Sequence, residues 1–260
     1  MNLELISREP SGSRRPTPLL FVHGAWHGAW CWDEYFLPYF AKQGYSVHAL
    51  SLRGHGKSEG RVRGSRIRDY VRDVAQAAAT LPAPPVVIGH SMGGLVTQKY
   101  LERHAAPAAV LLASVPPAGV WRVTLKYLGR APLAFAKANL TLSLAPLVAD
   151  PGLVREAMFS AGMPAADVER YTRLLGDESY LAFLDMLVLD LPRPKRVRTP
   201  MLVLGGAGDS LFSPAEIEAT ARAYGTRAEL VPGMAHDMML DQGWQPVADR
   251  IIAWLRERGI

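Results

Sequence analysis

Short runs rich in Leu, Val and Ile alternate along this chain with longer stretches in which apolar residues recur every three to four positions. The runs at Leu19–His23, Ser46–Leu50, Val86–Gly89, Ala109–Ala113, Met201–Gly205 and Ala228–Val231 predict strands. Several are apolar at nearly every position, as expected of strands covered on both faces in a parallel sheet. Helical spacing predicts helices over Ile67–Leu81, Met92–His104, Pro214–Tyr224 and Pro246–Arg258. In the last of these, Val247, Ile251, Ile252, Trp254 and Leu255 share one face. Strand and helix in regular alternation predict the α/β class, with a mostly parallel central sheet flanked by helices.

The alternation stops between Pro116 and Arg198. Helical spacing continues around Trp121–Lys137, Asp150–Ala161, Ala165–Leu175 and Ser179–Leu189, interrupted by Pro132, Pro146, Pro151 and Pro164, but no strand pattern is present. The expected organisation is therefore a core of residues 1–115 and 199–260, with residues 116–198 as a helical insertion between two core strands.

Composition narrows the class. An apolar fraction of 49% with 20% charged residues suits a packed core rather than a disordered chain. No apolar run reaches the roughly 18 residues of a membrane span. The opening MNLELISREP lacks the basic start and apolar stretch of a secretion signal, so a cytoplasmic location is expected. The single cysteine, Cys31, rules out an internal disulfide and a cysteine-based metal cluster, and its apolar surroundings predict a small buried side chain. The net charge is +5, and seven basic residues fall between Arg53 and Arg72. Only Tyr70 interrupts them and no nucleic-acid motif accompanies them, so a solvated face is expected and no nucleic-acid partner.

Candidate chemistry centres on Gly89-His90-Ser91-Met92-Gly93, a G-x-S-x-G segment that follows one predicted strand and opens one predicted helix. A turn this sharp lifts Ser91 Oγ clear of the surface, and the helix N-terminus behind it offers N–H groups to a developing anion. A serine hydroxyl needs a base, itself oriented by a carboxylate. His236 lies in the Gly- and Pro-containing loop after the last predicted strand, where an imidazole can reach over the strand ends. Asp209 ends a strand and a Gly-rich turn, the position a carboxylate partner requires. Asp237 is adjacent to His236 and poorly placed to reach its neighbour's Nδ1.

The order Ser91, Asp209, His236 resembles that of α/β-hydrolase fold serine hydrolases, and the likeness extends over nearly the whole chain. Phe21-Val22-His23-Gly24-Ala25-Trp26 is similar to that family's His-Gly turn. The resemblance implies an oxyanion hole from the N–H groups of Ala25 and Met92, with Trp26 as a substitute for Ala25. Leu52-Arg53-Gly54-His55-Gly56-Lys57-Ser58 is similar to a turn of monoacylglycerol lipase-like and lysophospholipase-like members, where a structural role is expected. The 116–198 insertion falls where the family carries its cap.

The resemblance also bears on the reaction. His23-Gly24-Ala25-Trp26-His27-Gly28-Ala29-Trp30 is similar to hydroxynitrile lyases and plant methylesterases, but Asp237 stands where the lyases carry lysine. The expected function is a carboxylic ester hydrolase acting through an acyl-enzyme on apolar short- to medium-chain or aromatic esters, without metal or cofactor. Lysophospholipase or monoacylglycerol lipase activity, carbon–carbon bond hydrolysis, haloperoxidase chemistry and a non-catalytic binding module stay open as alternatives. Trp26 and Trp30 are expected in the pocket wall. Trp121, Tyr127, Phe135, Phe159, Tyr171, Tyr180 and Phe183, with Met158, Met163 and Met186, are expected to supply apolar surface above the triad. The expected partner is a small-molecule ester, with no stable membrane insertion; the oligomeric state stays open.

Overall fold

A computed structural model describes residues 1–260. Seven strands, β1 (Leu5–Arg8), β2 (Leu19–Val22), β3 (Val47–Leu50), β4 (Val86–His90), β5 (Ala109–Leu112), β6 (Met201–Gly206) and β7 (Ala228–Val231), form one sheet in the order β1-β3-β2-β4-β5-β6-β7. All pairings are parallel except β1 with β3, where Leu5 faces Leu50 and Arg8 faces Val47. β1 was not expected. It is half-buried to exposed, pairs only at the sheet edge, and carries too few apolar residues to stand out.

Every residue of β2 to β6 is buried, so helices cover both faces of the sheet. Ahead of the insertion lie α1 (Trp30–Asp33), α2 (Phe36–Lys42), α3 (Ile67–Ala79) and α4 (Met92–Tyr100). The two short helices α1 and α2 were also not expected. Their Trp32, Phe36 and Phe40 pack around Phe21 of β2, with ring centroids 5.0–6.3 Å apart. Cys31 lies in α1, is buried as expected, and burial pushes its thiol pKa well up, so it stays protonated.

Between β5 and β6 the chain leaves the sheet for α5 (Trp121–Arg130), α6 (Pro132–Thr141), α7 (Pro151–Met158), α8 (Ala165–Leu174) and α9 (Tyr180–Leu184), the last continuing into a π-helical turn at Asp185–Leu189. The helix expected through Trp121–Lys137 is two helices. Ala131 turns out at φ −135°, ψ 60°, because the Pro132 ring excludes the α conformation for the residue before it. The chain then returns through β6, α10 (Pro214–Ala223), β7 and α11 (Trp244–Glu257).

Two buried acids tie this helical stretch to the sheet-bearing part. Glu178 accepts from Tyr70 Oη (2.6 Å) and pairs with His55 Nε2 (3.2 Å). Asp185 receives two bonds from the Arg66 guanidinium and caps the first turn of α3 through Ile67 N–H. Arg53 donates to both oxygens of buried Asp73. Two arginines of the basic cluster are thus structural rather than simply solvated, and His55 is the residue through which its turn holds the helices.

Strand order reverses between β2 and β4, the switch point at which α/β sheets open a crevice beyond their carboxyl ends. Three of the four non-glycine residues with positive φ lie there: Trp26 (65°) in the loop after β2, Ser91 (50°) after β4 and Ala113 (41°) after β5. Each such residue costs about 1–3 kcal/mol and persists only where the surroundings enforce it.

Candidate active site

Ser91 joins β4 to α4 at φ 50°, ψ −118°. Its N–H donates to Leu112 O (3.0 Å), and its carbonyl accepts from Gly94 and Val115 N–H. The turn depends on its glycines. A Cβ on Gly93 would press into the backbone carbonyls of Val22 and His23, and one on Gly89 into Gly93 O and Thr97 Oγ1. Gly93→Ala is therefore expected to cost about 1–3 kcal/mol of stability, read from the denaturant midpoint. Gly129→Ala, on an exposed helical face with open space around it, should leave the midpoint unchanged or raise it slightly.

His236 and Asp209 meet as the sequence suggests. His236 Nδ1–H donates to Asp209 Oδ2 (2.9 Å), and Asp209 Oδ1 accepts from the N–H groups of Leu211 (2.7 Å) and Phe212 (3.1 Å). Every oxygen of this carboxylate is engaged, so its orientation is fixed. Burial alone would pull the His236 pKa down. The Asp209 charge, its hydrogen bond and nearby Asp237 outweigh that and leave it above the usual value. No hydrogen bond joins Ser91 Oγ to His236 Nε2 here; such contacts in free enzymes often close only with substrate bound.

The pocket beside Ser91 is an apolar cavity of about 80 Å³, with Ala25, Trp26, Met92, Tyr127, Phe183 and Phe212 among its walls. Phe212 also packs on the His236 ring, 5.5 Å between centroids. Ala25 and Met92 line this space, and their N–H groups donate to no other group of the protein. Trp26 lines the cavity and donates its indole N–H to Leu144 O (3.2 Å). Trp30 does not line it. Its indole stacks between His27 and Tyr171, with centroids 5.5 and 6.1 Å away.

The aromatic and Met residues expected above the site divide into three groups. Tyr127, Phe135, Phe183 and Met186 line the cavity. Phe159 and Tyr171 stack on each other, and Met158 and Met163 are buried outside the cavity wall. Trp121 faces solvent at 46% exposure, and Tyr180 bonds Asn139.

A second buried network lies beneath and was not anticipated. His27 bridges two acceptors, its Nδ1 2.8 Å from Ala25 O and its Nε2 3.0 Å from Asp237 Oδ2. Burial would raise the Asp237 pKa, but the facing His27 lowers it below the usual carboxylate value. Asp237 thereby couples the loop carrying His236 to the loop carrying Ala25. His90 Nε2–H donates to His236 O (3.0 Å), and burial, aided by neighbouring His236, holds the His90 pKa at about 3, so the ring is neutral. His90, His236 and Asp237 stand close enough to share a cation; His90 Nε2, His236 Nδ1 and Asp237 Oδ2 are committed to these bonds, while His90 Nδ1 and Asp237 Oδ1 are buried without a partner. His23 completes the frame by donating to Gly24 O (2.7 Å) and accepting from Leu52 N–H (3.0 Å). Only a second histidine in His23-Gly-Ala-Trp-His27 and an acid after His236 hinted at any of this in the sequence.

The model of the Alpha/beta hydrolase family matches residues 19–250, and the chain belongs to that family. Among curated proteins it is similar to a non-heme haloperoxidase of Rhodococcus erythropolis, 38% identical over 110 residues (41% of this chain, 39% of that protein). It is also similar to a bifunctional esterase/perhydrolase of Acinetobacter calcoaceticus, 35% identical over 108 residues (40% and 39%). The match spans about two fifths of the length of these relatives. An esterase from Exiguobacterium antarcticum shares the fold with a TM-score of 0.79, at 17% identity over 98% of this chain and 95% of that one.

Proposed function

We propose that the protein is a serine carboxylic ester hydrolase. What supports this reading is a strained serine that lines an apolar cavity with Ala25 and Met92, and a carboxylate-held histidine on which the cavity residue Phe212 packs. Ser91 Oγ attacks the ester carbonyl while His236 Nε2 takes its proton. The Ala25 and Met92 N–H groups receive the oxyanion, each donor contributing on the order of 10²–10³ in rate. His236 then protonates the departing alcohol, and water, deprotonated by the same nitrogen, releases the acyl group from Ser91. Asp209 holds the imidazole in the Nδ1–H tautomer throughout.

Residues 116–198 act as the cap, since more than half of the residues lining the cavity at Ser91 come from this segment. Trp26 belongs to the substrate-binding wall. The cavity has about half the volume of an apolar cavity that accepts benzene, so it favours the short end of the expected acyl range. Hydrolysis of p-nitrophenyl esters from acetate to palmitate, without peroxide or halide, tests the reading. Turnover should be greatest from acetate to butyrate and fall at least about tenfold by octanoate, as forcing further methylenes into a filled pocket costs about 1–3 kcal/mol. A folded protein that hydrolyses none of these esters, or that turns over only with peroxide and halide, would overturn it.

A further inference from the structure

Six of the eleven large apolar residues exposed on this protein fall in one short stretch, Trp121 to Leu142. In α5, Trp121, Leu125 and Leu128 (46%, 59% and 49% exposed) recur at i, i+4 and i+7, on a face turned away from Val123 and Tyr127, which line the cavity. In α6, Leu133 and Leu140 (85% and 86% exposed) flank Lys137 on the face opposite Phe135. Isolated exposed leucines are ordinary; six large apolar residues exposed on two consecutive helices are not.

Charge selects the occupant. Arg122, Lys126, Arg130 and Lys137 lie beside the stripes, and none of them takes part in an ion pair, whereas Arg53, Arg66, Arg170 and Arg250 elsewhere do. No Asp or Glu occurs anywhere between Glu102 and Asp150. Glu156, beyond that stretch, is the acid near Lys126 and Arg130. Lys126 donates to Ser210 O, and Arg122 stacks on Trp121. On α5 the apolar stripe runs directly beside the basic one, the pattern of a helix lying in a lipid–water interface with its cations at the headgroups. Face-to-face pairing with a second copy would set the four cations of one chain against the four of the other.

We propose that the outer face of α5 and α6 is a docking surface for an anionic lipid bilayer. Leu125, Leu128, Leu133 and Leu140 enter the headgroup boundary, and Arg122, Arg130 and Lys137 hold the anionic heads. No helix of the protein is long and apolar enough to cross a membrane, so the contact is peripheral. The surface is the outer side of the wall that closes over Ser91, and the proposal does not depend on the reaction carried out there.

Co-sedimentation with vesicles of phosphatidylglycerol and phosphatidylcholine in equal parts, against phosphatidylcholine alone, tests it. The full chain should pellet with the mixed vesicles, remain largely in solution with phosphatidylcholine, and be released by salt. Each cation neutralised should weaken partitioning about fivefold, so a variant carrying R122Q, R130Q and K137Q should lose on the order of 10². A variant carrying L125S, L133S and L140S, all on exposed positions and with unchanged circular dichroism, should also lose partitioning. No sedimentation with the mixed vesicles would overturn the proposal, as would binding that these leucine changes leave intact. A dimer in sedimentation velocity that the same leucine changes dissolve would also overturn it, assigning the face to a second copy.

Discussion

Ser91→Ala is expected to reduce ester turnover by on the order of 10⁶ while leaving the fold intact. The size follows from the reaction proposed: without Oγ there is no acyl-enzyme, and the residual rate comes only from the N–H groups and substrate binding. The fold should survive because the backbone, not the hydroxyl, holds the turn. Ser91 N–H and C=O keep their bonds to Leu112, Gly94 and Val115, and alanine meets the same φ of 50° that serine already tolerates. Steady-state kinetics beside circular dichroism and a denaturant midpoint check both halves. Residual activity within about tenfold of wild type would move the nucleophile elsewhere.

Asp209→Asn should lower kcat by about 10⁴, for a reason visible in its hydrogen bonds. Oδ1 accepts two backbone N–H groups, from Leu211 and Phe212, so an asparagine keeps its carbonyl oxygen there and turns its NH₂ towards His236. His236 Nδ1 must then accept, which places the ring proton on Nε2, the nitrogen that has to take the proton from Ser91. The pH profile should change in a defined direction. In the wild type, kcat/KM rises as His236 loses its proton, and the facing carboxylates place that rise above the ordinary histidine range. Removing the Asp209 charge leaves burial as the dominant influence, so the acid limb should shift to lower pH as the plateau falls. A plateau lowered with the limb unmoved would mean that Asp209 does not set the charge state of His236.

The parallel core was legible because each strand from β2 to β6 is buried on both faces and so is apolar throughout. Ser91, Asp209 and His236 stood out as candidates because each sits at a strand end marked by glycine or proline. The edge strand β1 and the short helices α1 and α2 were not. Leu5-Ile6-Ser7-Arg8 is part polar because only one neighbour and little core cover it. The Trp30–Lys42 stretch packs through aromatic contacts specific to three dimensions rather than through a repeating period. The bonds from His27 to Asp237 and from His55 to Glu178 join residues 210 and 123 positions apart, and nothing local marks either partner. Trp30 next to the Ala25 loop looked like a pocket wall; its ring is instead taken up by His27 and Tyr171.

Covalent trapping tests the central claim most directly. Incubation with an alkyl fluorophosphonate, followed by intact-mass and peptide mass spectrometry, should give one adduct per chain, on the peptide containing Ser91. The adduct should be absent from Ser91→Ala and form far more slowly in His236→Ala. A folded wild-type protein that takes up no phosphonate, or takes it up on another residue, would contradict the assignment of Ser91 as an activated nucleophile.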